Sequence, residues 1–170
     1  MLMTMAKHLS PLTRASGFTL LEVLIAVLVL AIGLLGMAGL QVAGLRNNQS
    51  AYYRSQATQL AYDMADRIRA NPVGLNNGNY NNQVATNDDC AANACSAAQM
   101  AGYDLAQWSA ELAAQLPSGT GVVCIDGTPS DGEADDPACD NDGAAYAIKV
   151  WWDDDRSGEA NQRFVTSFRP

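Results

Sequence analysis

The chain has 170 residues, 48% of them apolar and 16% charged, which is room for one modest domain and too apolar a composition for a disordered chain. Its 18 acidic and 10 basic side chains leave a formal charge of −8. That balance argues against a protein that tracks nucleic-acid phosphates.

Taken in chain order, the first strong feature is Phe18 to Leu40, FTLLEVLIAVLVLAIGLLGMAGL, whose one charged residue is Glu22. As a helix this stretch reaches roughly 34 Å, enough to cross a bilayer core. A secretory signal peptide has an apolar run of about 7 to 15 residues. A buried core helix breaks its run within about 14. The stretch therefore reads as a membrane-inserted segment. Glu22 is its anomaly, because an unpaired carboxylate at depth costs on the order of 2 to 3 kcal/mol. The plain reading puts it at headgroup level, solvated.

Gly17 to Glu22 reads GFTLLE, after a short basic leader with Lys7 and Arg14 and before the long apolar run. This string resembles the type III leader of type IV pilins and their relatives. The continuation EVLIAVLVLAIGLLGMAGLQ from Glu22 to Gln41, followed by DMADRIRANP from Asp63 to Pro72, is most similar to minor pilins of the PilV type. The resemblance covers about the first 72 residues. It implies cleavage after Gly17 by a prepilin peptidase on the cytoplasmic face, methylation of the new amino terminus at Phe18, and Glu22 as the fifth mature residue. Cleavage creates an α-ammonium on Phe18 that is as costly in lipid as the carboxylate. Within the family, the Glu22 carboxylate of one subunit pairs with the amine of its neighbour, so that assembly relieves both penalties.

Charge alone does not orient the span, since Arg46 and Arg54 after it balance Lys7 and Arg14 before it. The cysteines do better. Cys90, Cys95, Cys124 and Cys139 all follow the span, an even number suited to an oxidising compartment, so the leader is expected in the cytoplasm and the rest exported. Residues 1–17 are set aside as a removable leader, with translation starting at Met1, Met3 or Met5. The sole histidine, His8, goes with them, which excludes imidazole triads and imidazole metal sites from the mature chain.

Beyond the span the helix is expected to continue as an amphipathic stem. Tyr53, Ala57, Leu60, Ala61, Met64 and Ile68 recur on one face, Asp63 and Arg67 stand four apart, and Pro72 is the stop. Phe18 to Asn71 would make one helix of roughly 80 Å. Glycines at 33, 36, 39 and 44 either let it bend and pack closely or merely tolerate lipid. Residues 71–93 read as loop, with eight asparagines. A second helix follows over about Ala97 to Leu116, its apolar stripe Leu105, Trp108, Leu112 and Leu116 serving as core. Strands are expected at Gly121 to Asp126, Ala144 to Asp153 and Gln162 to Phe168, paired antiparallel because their connections are short.

The cysteines allow three pairings, among them Cys90 with Cys95 and Cys124 with Cys139. A four-thiolate zinc site is the sharper alternative, but only the 90 and 95 pair meets the usual C-x2-4-C spacing, with 14 residues between Cys124 and Cys139. Asp126 to Asp142 holds seven acidic residues and no basic one, and reads as a solvated hairpin loop. A calcium loop is conceivable there, or at Asp153, Asp155, Ser157 and Gly158, which match the first half of an EF-hand loop. The twelfth position of that loop is Phe164, where a bidentate glutamate belongs. Trp151 and Trp152 point to opposite faces of their strand, so one is expected in the core and the other exposed as a subunit contact. No phosphate loop, nucleophile elbow or paired-carboxylate pattern is credited, and neither enzymatic activity nor a cofactor is expected.

The expected fold is α+β and pilin-like. It comprises a leader at 1–17, a transmembrane half-helix at 18–46, an amphipathic half-helix at 47–71, and a globular periplasmic head at 72–170 holding a second helix and a small antiparallel sheet. The expected function is that of a minor pilin, a structural subunit that helps prime pilus assembly near the tip and so supports twitching motility and adhesion. Its expected partners are other minor pilins, the major pilin, a prepilin peptidase and inner-membrane lipid, with no nucleic acid. The competing readings are a minor pseudopilin of type II secretion and a membrane-tethered, calcium-dependent adhesin.

Overall fold

The computed structural model of the chain describes residues 17–86 and 88–170. The leader residues Met1, Met3, Met5, Lys7, His8 and Arg14 lie outside the described residues. The elements in order are α1 (Leu20–Ala70), α2 (Pro72–Asn76), α3 (Ala97–Gln115), β1 (Thr120–Ile125), β2 (Tyr146–Trp152) and β3 (Gln162–Phe168). This is an α+β architecture with a small antiparallel sheet. The chain divides into two compact units, one ending at Leu45 and the other spanning Arg46–Pro170.

In the first unit every described side chain is exposed, including those of Leu24, Leu28, Ile32 and Leu35. α1 is long and apolar enough to cross a membrane. A helix that is apolar all round and touches no core of its own is suited to lipid or to neighbouring helices.

In the second unit α1 buries Tyr53, Ala57, Leu60, Ala61, Met64, Ala65 and Ile68, the expected stripe with Ala65 added. The helix ends at Ala70, and the expected loop at 71–93 opens instead with α2. Asn71 caps it, its side-chain oxygen accepting from Gly74 N–H at 3.0 Å. Pro72, which stops α1, is preset for the first position of α2, where no N–H is required. Ser96 and Gln99 close a capping box at the start of α3.

The sheet has order β1-β2-β3, antiparallel throughout, with Val123 opposite Ile148 and Ile148 opposite Thr166. The inner face of β2, formed by Tyr146, Ile148, Val150 and Trp152, joins the core with Trp108 and Leu112 of α3 and the stripe of α1. The Trp108 indole N–H donates to the Leu60 carbonyl at 3.0 Å, tying α3 to α1. Gly121 is glycine for a packing reason: a Cβ there would strike Trp108 and Leu112.

The outer face of β2 corrects one expectation and extends another. Trp151 is 4% exposed and Trp152 1%, so neither indole is free as a contact. The acidic segment 126–143 is the expected hairpin connection from β1 to β2, with six of its seven acidic side chains exposed, and it also folds over the outer face and encloses Lys149. Lys149 Nζ lies 2.5 Å from an Asp126 carboxylate oxygen and 3.2 Å from that of Asp131, and donates to the Pro137 carbonyl at 2.8 Å. Arg163 of β3 pins the same segment by donating to the Ser130 and Gly132 carbonyls. Gly132 has φ +78°, and a Cβ there would meet the Pro137 carbonyl, so the fold of this segment demands glycine.

Candidate functional site

Gly17, Phe18 and Thr19 lie just before α1, in non-helical backbone. The Thr19 hydroxyl accepts from Glu22 N–H at 3.2 Å, and its carbonyl accepts from Glu22 N–H at 3.1 Å and Val23 N–H at 3.3 Å. Thr19 is thus the helix cap, which keeps the Gly17–Phe18 bond out of the helix and accessible. Sequence reasoning passed over this role, although T-x-x-E is a capping pattern legible in Thr19 to Glu22. Phe18 is 84% exposed. Phe18 and Glu22, four residues apart, line a single shallow recess with Val23, Ala26 and Val27. At the N-terminus of a helix the macrodipole favours an anion, so Glu22 is electrostatically placed for its charge. Among the described residues it forms no ion pair.

The family model for the prokaryotic N-terminal methylation motif matches residues 12–38, which contain this site. A second model, described as type IV pilin Tt1218, matches residues 39–106, the remainder of α1 through α2 and into α3. The chain belongs to the type IV pilin superfamily. No curated protein and no solved structure matches it. Membership carries processing by a peptidase, membrane anchoring through the apolar helix, and assembly with other pilins as a structural subunit.

The other residues singled out in the sequence serve the architecture of the pilin. Its disulfides are Cys90–Cys95 and Cys124–Cys139, so the four sulfurs are not the thiolates a zinc site requires. Cys124, Asp126 and Cys139 are close enough to share an ion, but the two sulfurs are bonded to each other and Asp126 faces Lys149. These groups do not fit a metal. Asp153 is buried and accepts from the backbone N–H groups of Ser157 at 3.1 Å and Gly158 at 2.7 Å, while Asp155 accepts from Ser157 N–H at 3.1 Å. Donors from Ser157, its hydroxyl first, hold the Asp155 carboxyl below the usual range. These carboxylates close a turn.

One buried polar pair of the head, Tyr80 and Asp104, gave no signal in the sequence. Tyr80 is fully buried and donates to Asp104 at 2.6 Å, while the Asn71 amide donates to Tyr80 at 3.1 Å and to the Ala97 carbonyl at 2.8 Å. Burial raises both the Tyr80 hydroxyl and the Asp104 carboxyl above their ordinary values. At the junction of α1 and α3, Arg67 bridges Asp63 at 2.7 Å and Glu111 at 2.9 Å.

Proposed function

We propose that this pilin is a minor subunit of a type IV pilus that primes assembly near the tip and so supports twitching motility and attachment. Residues 1–17 are its cytoplasmic leader, 18–46 the span of the inner membrane, 47–71 the amphipathic stem, and 72–170 the periplasmic head. A prepilin peptidase cuts after Gly17 and methylates Phe18. The carboxylate of Glu22 then pairs with the Phe18 amine of an adjacent pilin.

One observation carries the reading: an exposed cleavage site and a carboxylate without an ion partner sit at the head of a helical stretch, Leu20 to Leu45, none of whose apolar side chains is buried among the described residues. A group that costs free energy in lipid persists where a partner supplies its counter-charge. The minor role is supported by the similarity of Glu22 to Gln41 and Asp63 to Pro72 to minor pilins of the PilV type.

The test is a clean deletion scored for surface pili, twitching and exoprotein secretion. Lost pili with intact secretion is the expected result. Lost secretion with normal pili would reassign the chain to the pseudopilins of type II secretion. Replacing Glu22 with Ala is expected to leave cleavage and insertion intact and to reduce incorporation into filaments, read by immunoblot of sheared pili; normal incorporation would sink the charge-pairing mechanism.

A further inference from the structure

At the start of the second unit, Arg46, Gln49 and Ser50 of α1 and Asp154, Asp155 and Arg156 of the turn after β2 line a polar cavity of about 490 Å³. Its geometry is imposed. Arg156 has φ +59°, a left-handed conformation that a non-glycine residue adopts only when its surroundings enforce it. Asp153 enforces it, by accepting from the backbone on the far side of Arg156 at Ser157 and Gly158. The Arg156 guanidinium then donates to the Tyr53 hydroxyl at 3.2 Å, and Gln49 donates to the same oxygen at 2.8 Å. Tyr53 is 7% exposed, so it fixes both side chains from within the core.

Two guanidiniums and two carboxylates face one cavity. Arg46 directly follows Leu45, the last of the large exposed apolar residues of the membrane stretch. An arginine in that place stands at the level of lipid headgroups. We propose that this cavity binds the zwitterionic headgroup of a phosphatidylethanolamine, with Arg46 and Arg156 on the phosphodiester and Asp154 and Asp155 on the primary ammonium. Planar guanidinium forks suit phosphate oxygens. The carboxylates select the cation: an anionic glycerol headgroup leaves them facing a net negative ligand, and a quaternary choline has no N–H to donate. This site would hold the pilin at a fixed depth before extraction into a filament. The proposal rests on reading Phe18 to Leu45 as membrane-embedded.

The test uses the full chain in detergent micelles, with native mass spectrometry of its complexes with phosphatidylethanolamine, phosphatidylcholine and phosphatidylglycerol of matched acyl chains. Retention of the ethanolamine lipid over both others by roughly tenfold is expected. The Arg46→Gln variant, altered on an exposed helix face, is expected to lose that retention. Asp155→Asn is expected to lose the preference over choline while still binding phosphate. Equal retention of the three lipids, stronger retention of the glycerol lipid, or an unchanged preference in both variants would overturn the proposal. So would displacement by inorganic phosphate as readily as by phosphoethanolamine, which would mark a simple anion site. Flotation with vesicles checks the membrane reading separately, because a chain that fails to float disproves the embedding and not the headgroup selectivity.

Discussion

Two stretches of the same helix obey different rules. From Leu20 to Leu45 every side chain of α1 is exposed, while from Tyr53 to Ile68 the helix buries seven residues, three of them alanines that let other elements approach its backbone. The contrast extends to charge. Glu22 finds no ion partner among the described residues, whereas Lys149, Arg67 and Arg69 in the second unit are each paired within it. Apart from the buried Trp151 indole N–H and the charges around the Arg46–Arg156 cavity, the head satisfies its own chemistry. The apolar stretch does not, and its remaining surface and charge are what assembly and membrane can use.

The comparison breaks most severely at Lys149. Replacing it with Met leaves Asp126 buried without its counter-charge, and the head is expected to lose about 3 to 5 kcal/mol, read by denaturant unfolding of the full chain in micelles. Adding Asp126→Leu should restore most of the loss, because it removes the orphaned charge. If Lys149→Met proves neutral, the segment 126–143 does not depend on that pair.

Next in size is a matched pair of truncations on the one helix. Met64→Ala opens a cavity in the core and is expected to cost about 2 to 5 kcal/mol. Leu30→Ala, on the exposed stretch, should leave head stability within about 0.5 kcal/mol. Equal losses would mean that the apolar stretch contributes to the fold of the head.

The smallest effect concerns pH. Burial raises the Asp104 carboxyl, so the folded head binds this proton more tightly than the unfolded chain does. Its contribution is fully present below the ordinary carboxylate value of about 3.9 and is lost as pH rises through the raised value. Asp104→Asn abolishes that slope, so its melting temperature should climb relative to the parent as pH rises from about 4. Asp131 and Asp140 act with the opposite sign. Thr128 and Lys149 hold Asp131 low, and the Gly127 and Asp142 N–H groups hold Asp140 low, so their contributions fade as pH falls below the ordinary carboxylate range. A parallel pH profile in the variant would show that Asp104 is not the group responsible.

Much of this was legible residue by residue. The stripe from Tyr53 to Ile68, the second helix and the strand from Gln162 to Phe168 follow from periodicity, because each element turns one repeating face to the core. The Thr19 cap was legible too, in a spacing that went unread. α2 escaped because it spans only five residues and one of them is a proline, which signals a stop before it signals a start. The burial of Trp151 escaped because alternation tells which face a side chain takes and not what lies over that face. Cys124 and Cys139 stayed one choice among three pairings until the segment between them was seen folded back on β2.

The sequence alone determined the membrane-length helix, the leader motif with Gly17, Phe18 and Glu22, and the α+β order of the head. These depend on near neighbours in the chain: a run of apolar residues, a spacing of four, an alternation of two. The tertiary structure decided what depends on residues far apart: the enclosure of Lys149 by Asp126 and Asp131, the Tyr80–Asp104 pair, and the cavity that Arg46 shares with Arg156. Each of these is a polar group in or beside a core, and its free energy is set by the partner that folding brings to it, which no local pattern encodes.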